Sequence, residues 1–155
     1  MRLTHATTAL LFAFAFASAS AFALTPAFAA NDLIQDQPMT IAGVETVCTG
    51  VGLEARQDPR WRAFPLVIEF VGKAGQYLGD DTVTVTGQGQ NVSVHCAGPW
   101  IAMKLPAGSY HIAADVAEGG HNEMTANIGA KGQAHAIIRY PNAGGEEMPA
   151  RVASQ

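Results

Sequence analysis

The sequence predicts an all-β protein: one antiparallel sandwich of about seven strands, preceded by an export signal. Three observations predict it. From Phe64 to Tyr140 apolar and polar residues alternate with period two, the pattern of strands with one buried and one solvated face. Gly, Pro and Asn clusters separate the alternating runs, supplying the backbone conformations that chain reversal needs. No helical period of useful length is present; residues 53–58 read as a single helical turn. A chain of 155 residues sets one domain as the expectation.

In chain order, residues 1–29 read as a signal peptide. Arg2 opens it, an uncharged Ala, Leu and Phe run follows, and Ala27-Phe28-Ala29 places cleavage after Ala29, with Ala21-Phe22-Ala23 as the earlier alternative. Ser18, Ser20 and Pro26 interrupt the run, which argues against a retained anchor. Residues 30–42 are expected to be a loose leader, 43–141 the β-sandwich domain and 142–155 a flexible tail.

The first strand is expected near 44–49. Phe64, Leu66, Ile68 and Phe70 form one face of the next, opposite Pro65, Val67, Glu69 and Val71; Pro65 suggests an edge strand or a bulge. Val83 and Val85 alternate with threonines, and Val92, Val94 and Cys96 alternate with Asn91, Ser93 and His95. A short strand follows at 101–105. Tyr110, Ile112, Ala114 and Val116 define another, Met124, Ala126 and Ile128 a weaker one, and Ala134, Ala136, Ile138 and Tyr140 the last.

After position 29 the chain carries 8 Lys+Arg against 13 Asp+Glu, a balance of −5. This excludes nucleic-acid binding driven by bulk basic charge. Cys48 and Cys96 are the only cysteines. An exported protein meets an oxidising compartment, so one Cys48–Cys96 disulfide is expected, with two buried free thiols as the alternative. By parity Cys48 shares a face with Val44 and Thr46, so the bridge would staple the first strand to the middle of the sandwich.

The residues give little chemistry. His95, His111, His121 and His135 all fall on outward faces. Ser109, His111 and Asp115 make a hydrolase set only on paper, because same-face neighbours on a strand lie about 7 Å apart. No catalytic residue and no cofactor are therefore assigned. His111, His121 and Glu123 are the weak metal candidates, for Zn or Cu. Asp80-Asp81 reads as a solvated turn. Trp61, Trp100 and Tyr77 are the candidates for contact with a glycan or protein partner, since an exposed aromatic offers an apolar face and a polar edge; the alternative is that both tryptophans cap the ends of the sandwich.

Gly98-Pro99-Trp100, the phrase Leu105-Pro106-Ala107-Gly108-Ser109-Tyr110-His111-Ile112-Ala113-Ala114, the run Gly129-Ala130-Lys131-Gly132-Gln133-Ala134 leading into Ile137-Ile138-Arg139-Tyr140, and Gln76-Tyr77-Leu78-Gly79 together resemble the small exported carboxypeptidase regulatory-like proteins. The resemblance covers roughly residues 43–140. It implies a transthyretin-like (prealbumin-like), Ig-like sandwich in which Tyr110 packs inward and Gly108 fits a tight turn. It also implies a non-catalytic accessory module; the cysteine pair is not part of the family pattern. The expected function is a non-catalytic exported binding or interaction module of the bacterial cell envelope, periplasmic or secreted. Its partner would be an envelope protein or a glycan, with no membrane span after signal cleavage. A weak Zn/Cu-binding periplasmic protein, a glycan-binding accessory module and a small hydrolase are the alternatives.

Overall fold

A computed structural model describes residues 30–117 and 119–143. The expected signal peptide (1–29) and residues 144–155 of the expected tail lie outside the described residues. The elements are β1 (Asn31–Asp32), β2 (Met39–Ile41), β3 (Val44–Thr49), α1 (Gly52–Gln57), a 3₁₀ turn (Pro59–Ala63), β4 (Leu66–Gly72), β5 (Asp81–Gly87), β6 (Gln90–Cys96), β7 (Trp100–Met103), β8 (Gly108–Val116), β9 (Gly120–Ile128) and β10 (Ala134–Tyr140).

They form two five-stranded sheets, ordered β1-β6-β5-β8-β9 and β10-β4-β7-β3-β2. The expected sandwich-like, all-β architecture is present, but the sheets are mixed rather than antiparallel. β1 runs parallel to β6, and β10 runs parallel to β4, from Ala134 beside Leu66 to Tyr140 beside Gly72. Period-two alternation specifies which side chains face inward; it carries no information on strand direction, so this part of the topology was not readable from pattern.

The alternation places the core as expected. Val83, Val85, Val92, Val94, Tyr110, Ile112, Ala114, Ala136, Ile138 and Tyr140 are buried between the sheets. The Tyr110 hydroxyl donates to the Pro106 carbonyl oxygen at 2.9 Å. Gly108 has φ +155°, and a Cβ there would lie 2.6 Å from Gln88 Cγ, so the turn needs glycine. The disulfide joins Cys48 and Cys96, with Cα atoms 5.4 Å apart and both residues fully buried.

Four expectations are corrected. The leader is not loose: Leu33 N–H donates to His95 O at 2.9 Å, Asp36 N–H to Cys48 O at 2.7 Å and the Thr49 hydroxyl to Asp36 Oδ1 at 2.6 Å. Its residues complete one edge of each sheet. β4 is not an edge strand, because it pairs with β10 and β7; Pro65 precedes it, where its missing N–H breaks no ladder bond. The outward face of the second sheet is not wholly solvated. Val47, Val67 and Ala102 on that face pack with Trp61, Phe64 and Trp100 in a second apolar cluster. Phe64 leaves the face of Leu66 because the 3₁₀ turn ends just before it, with Phe64 N–H donating to Trp61 O at 3.1 Å.

Candidate functional site

The second cluster exists because the chain between β3 and β4 folds back over the sheet. Asp58 and Pro59 start the 3₁₀ turn: Asp58 Oδ1 accepts from Arg60 N–H at 2.9 Å, and proline suits the first helical position. This drives Trp61 down onto the sheet, where it is 4% exposed. Its indole N–H donates to Ala55 O at 2.8 Å, tying α1 to the turn. Gln133 Nε2 donates to Trp61 O at 2.7 Å and Phe64 O at 2.8 Å, fixing the other side to the start of β10.

Between this flap and the sheet lies a cleft of about 560 Å³, lined by Arg56, Gln57, Asp58, Trp61, Arg62, Val67, Trp100, Gln133 and His135. Two of the three predicted aromatic contacts line this cleft, in different roles, and the third packs beside it. Trp61 is floor rather than an exposed ring, and the Arg60 guanidinium covers it at 4.5 Å from the ring centroid. Trp100 is half-buried. Tyr77, 43% exposed, packs edge-on against it at 6.0 Å between centroids. Gly50 backs Trp100: a Cβ on Gly50 would lie 2.7 Å from Trp100 Cγ, and its φ is +91°. The Trp100 Nε1 atom is buried without a hydrogen-bond partner among the described residues.

The charges around the cleft are unequal. Asp58 neutralises Arg60 at 2.7 Å, and their hydrogen bond holds the Asp58 carboxyl below the ordinary range and raises the Arg60 guanidinium. His135 Nδ1 lies 2.8 Å from Glu69. Arg56 is half-buried, donates to Gly50 O at 3.0 Å and sits 5.1 Å from the Tyr77 centroid. Neither Arg56 nor Arg62 has an acidic partner among the described residues. Arg56, Arg62, Gln133 and His135 were not singled out in the sequence. The signal available was Arg56-Gln57-Asp58-Pro59-Arg60-Trp61-Arg62, where three arginines flank a tryptophan in an acidic chain.

The predicted metal candidates also converge, on the outer face of β8 and β9. His121 Nε2 lies 2.9 Å from Glu123 and its Nδ1 3.0 Å from Asp115, while His111 Nε2 lies 3.4 Å from Glu123. Ionised carboxylates only accept, so two carboxylate neighbours favour the imidazolium form of His121, which donates from both nitrogens. Glu123 first, then Asp115, raise the His121 pKa, and His121 lowers that of Glu123. An imidazolium offers a metal no lone pair. Among the described residues no group of three or more His, Cys, Asp or Glu is arranged to hold a metal ion. Asp115 is thus engaged by His121, not by His111 as a hydrolase set would require. Both cysteines are in the disulfide.

Asp81 corrects a further expectation. The turn ends at Asp80, and Asp81 opens β5 on the inward parity of Val83 and Val85, opposite Cys96 and Val116. It is fully buried, and both carboxyl oxygens lack a partner among the described residues. Burial, and then the neighbouring Asp80, push its pKa up to about 8. Burial, and then Asp81, also raise that of Tyr140, whose hydroxyl donates to Ala114 O at 3.1 Å.

Among the described residues no helix is long and apolar enough to cross a membrane. Compared with models of protein families and with curated proteins, the chain finds no match, so the case for a function rests on the chemistry of the cleft.

Proposed function

We propose that the protein is a non-catalytic binding module exported to the bacterial cell envelope, periplasmic or secreted, and that the cleft beneath α1 is its contact face. The carrying observation is Arg56: a half-buried guanidinium held in place by Gly50 and Tyr77, with no acidic partner among the described residues. A partly desolvated charge is costly unless something completes its shell, and a bound partner does so. Trp100 and Tyr77 beside it supply the amphipathic surface that partners use. The disulfide fits an oxidising compartment, and the Leu105 to Ala114 phrase, which resembles carboxypeptidase regulatory-like modules, supports an accessory role. The test compares wild type with Arg62→Gln and Trp100→Phe in capture from envelope extract and on a glycan array. A ligand bound by wild type and lost by both variants is the expected result; a wild type that binds nothing in either format sinks the reading.

A second reading, a weak Zn or Cu site at His111, His121 and Glu123, is favoured only by their convergence. The metal would have to displace a proton from His121 and compete with its two ion pairs. Elemental analysis decides it: stoichiometric metal that disappears in His121→Ala supports the site, and metal-free purified protein rejects it.

A further inference from the structure

We infer that the cleft is built for an acidic saccharide, a sugar ring carrying a carboxylate. This rests on the reading of the cleft as the contact face and names the chemistry of its ligand. The charge requirement comes from Arg56 and Arg62. Arg60, between them in sequence, is already neutralised by Asp58, so the uncompensated charge belongs to its two neighbours. In a protein of net charge −4 this is a local reversal of sign, which draws anions to one place. Guanidinium groups match a planar carboxylate with paired N–H donors, and Arg56 is already immobilised by Gly50 O and the Tyr77 ring, which lowers the ordering cost of that match.

The uncharged part of the ligand is set by the rest of the wall. Trp100 presents a half-buried indole, with the exposed amide of Gln57 nearby on the lining. A hydroxylated ring stacks on an aromatic and offers acceptors to such an amide at once. A fatty acid would cover the amide without pairing it. A small inorganic anion would leave the aromatic wall unused, in a cleft whose 560 Å³ falls in the roughly 300–1,000 Å³ range of organic-ligand sites.

The purified protein is titrated with an oligogalacturonate, with the matching neutral galactose oligomer and with oligoglutamate, followed by calorimetry and tryptophan emission. Both tryptophans of the chain line this cleft, so the emission reports on it. The acidic sugar is expected to shift the emission, and the neutral sugar and Arg62→Gln each to bind about tenfold more weakly or worse, as loss of a charge-assisted pair implies. Added salt weakens the acidic sugar further. Equal binding of the neutral sugar, oligoglutamate binding as tightly as the sugar, or unchanged affinity in Arg62→Gln overturns the inference. If no oligomer binds while Arg62→Gln still loses its extract or array ligand, the acidic saccharide is wrong and the contact face stands; if that variant also keeps its ligand, both fall. Arg62 is exposed, and unchanged far-ultraviolet circular dichroism confirms that the variant folds.

Discussion

Asp81 is the residue with the clearest energetic signature. A carboxyl with both oxygens unpaired among the described residues of a sandwich core destabilises the fold, and a pKa raised to about 8 gives the sign. The unfolded carboxyl titrates near about 3.9, so between that pH and 8 the folded state holds a proton that the unfolded state has released. Stability therefore falls as pH rises through this window and levels off above it. Asp81→Val, an apolar side chain suited to a strand, is expected to stabilise by about 1–3 kcal/mol at neutral pH and to flatten that slope in urea melts run from pH 5 to 9. Unchanged stability and an unchanged slope would show that the carboxyl has found a partner. At the surface, His121 also loses stability as pH rises, but because an ion pair is lost rather than because a buried charge forms. Its raised pKa adds stability that is present below the unfolded value near about 6.5 and is lost as pH rises through the folded value, while Glu123 adds stability that is lost on acidification. Glu123→Gln should lower the His121 titration midpoint read by NMR; an unmoved midpoint would mean that the pair does not form in solution.

The flap of α1 and its 3₁₀ turn is the element that creates the site. Trp61 anchors it from beneath, so Trp61→Ala should cost about 3–5 kcal/mol, as for other buried large aromatics, and should open the cleft. Gly50 sets the wall. Gly50→Ala combines a positive φ with a Cβ closing on the Trp100 ring and should destabilise by about 1–3 kcal/mol while shifting tryptophan emission. A variant with native stability and an unaltered spectrum would mean that Trp100 does not rest on this backbone. The positions and inward faces of β3 to β10 were largely legible in the sequence because each of these strands states its own parity locally, whereas β1 and β2 are too short to do so. The flap was not: the residues 53–58 turn was visible, but nothing in a six-residue helix says which surface it covers. Parity placed Trp100 opposite Ile101 and Met103, as found, yet it could not reveal that this side is half roofed. Asp81 was misread because the preceding turn hid its parity, although Val83 and Val85 already declared it.

At the scale of the molecule, the disulfide links the two sheets, since Cys48 lies in β3 and Cys96 in β6. Closing a loop across 48 positions is worth about 4 kcal/mol on the chain-entropy account. The Cys48→Ala/Cys96→Ala pair should lose stability of that order in denaturant melts. A loss well under 1 kcal/mol would mean that the sheets are held by packing alone. The pairing was readable because only two thiols exist and both fall on inward parity. The mixed sheets were not, because they depend on where distant segments return.

The short first strand carries one last implication. Asn31 begins β1, next but one to Ala29, where the export segment is expected to be removed. The same stretch goes on through Leu33 and Asp36 to β2, strapping one sheet margin to the other. This stretch is therefore a buckle, not a handle: a purification tag or reporter fused directly before Asn31 would press on the fastening itself.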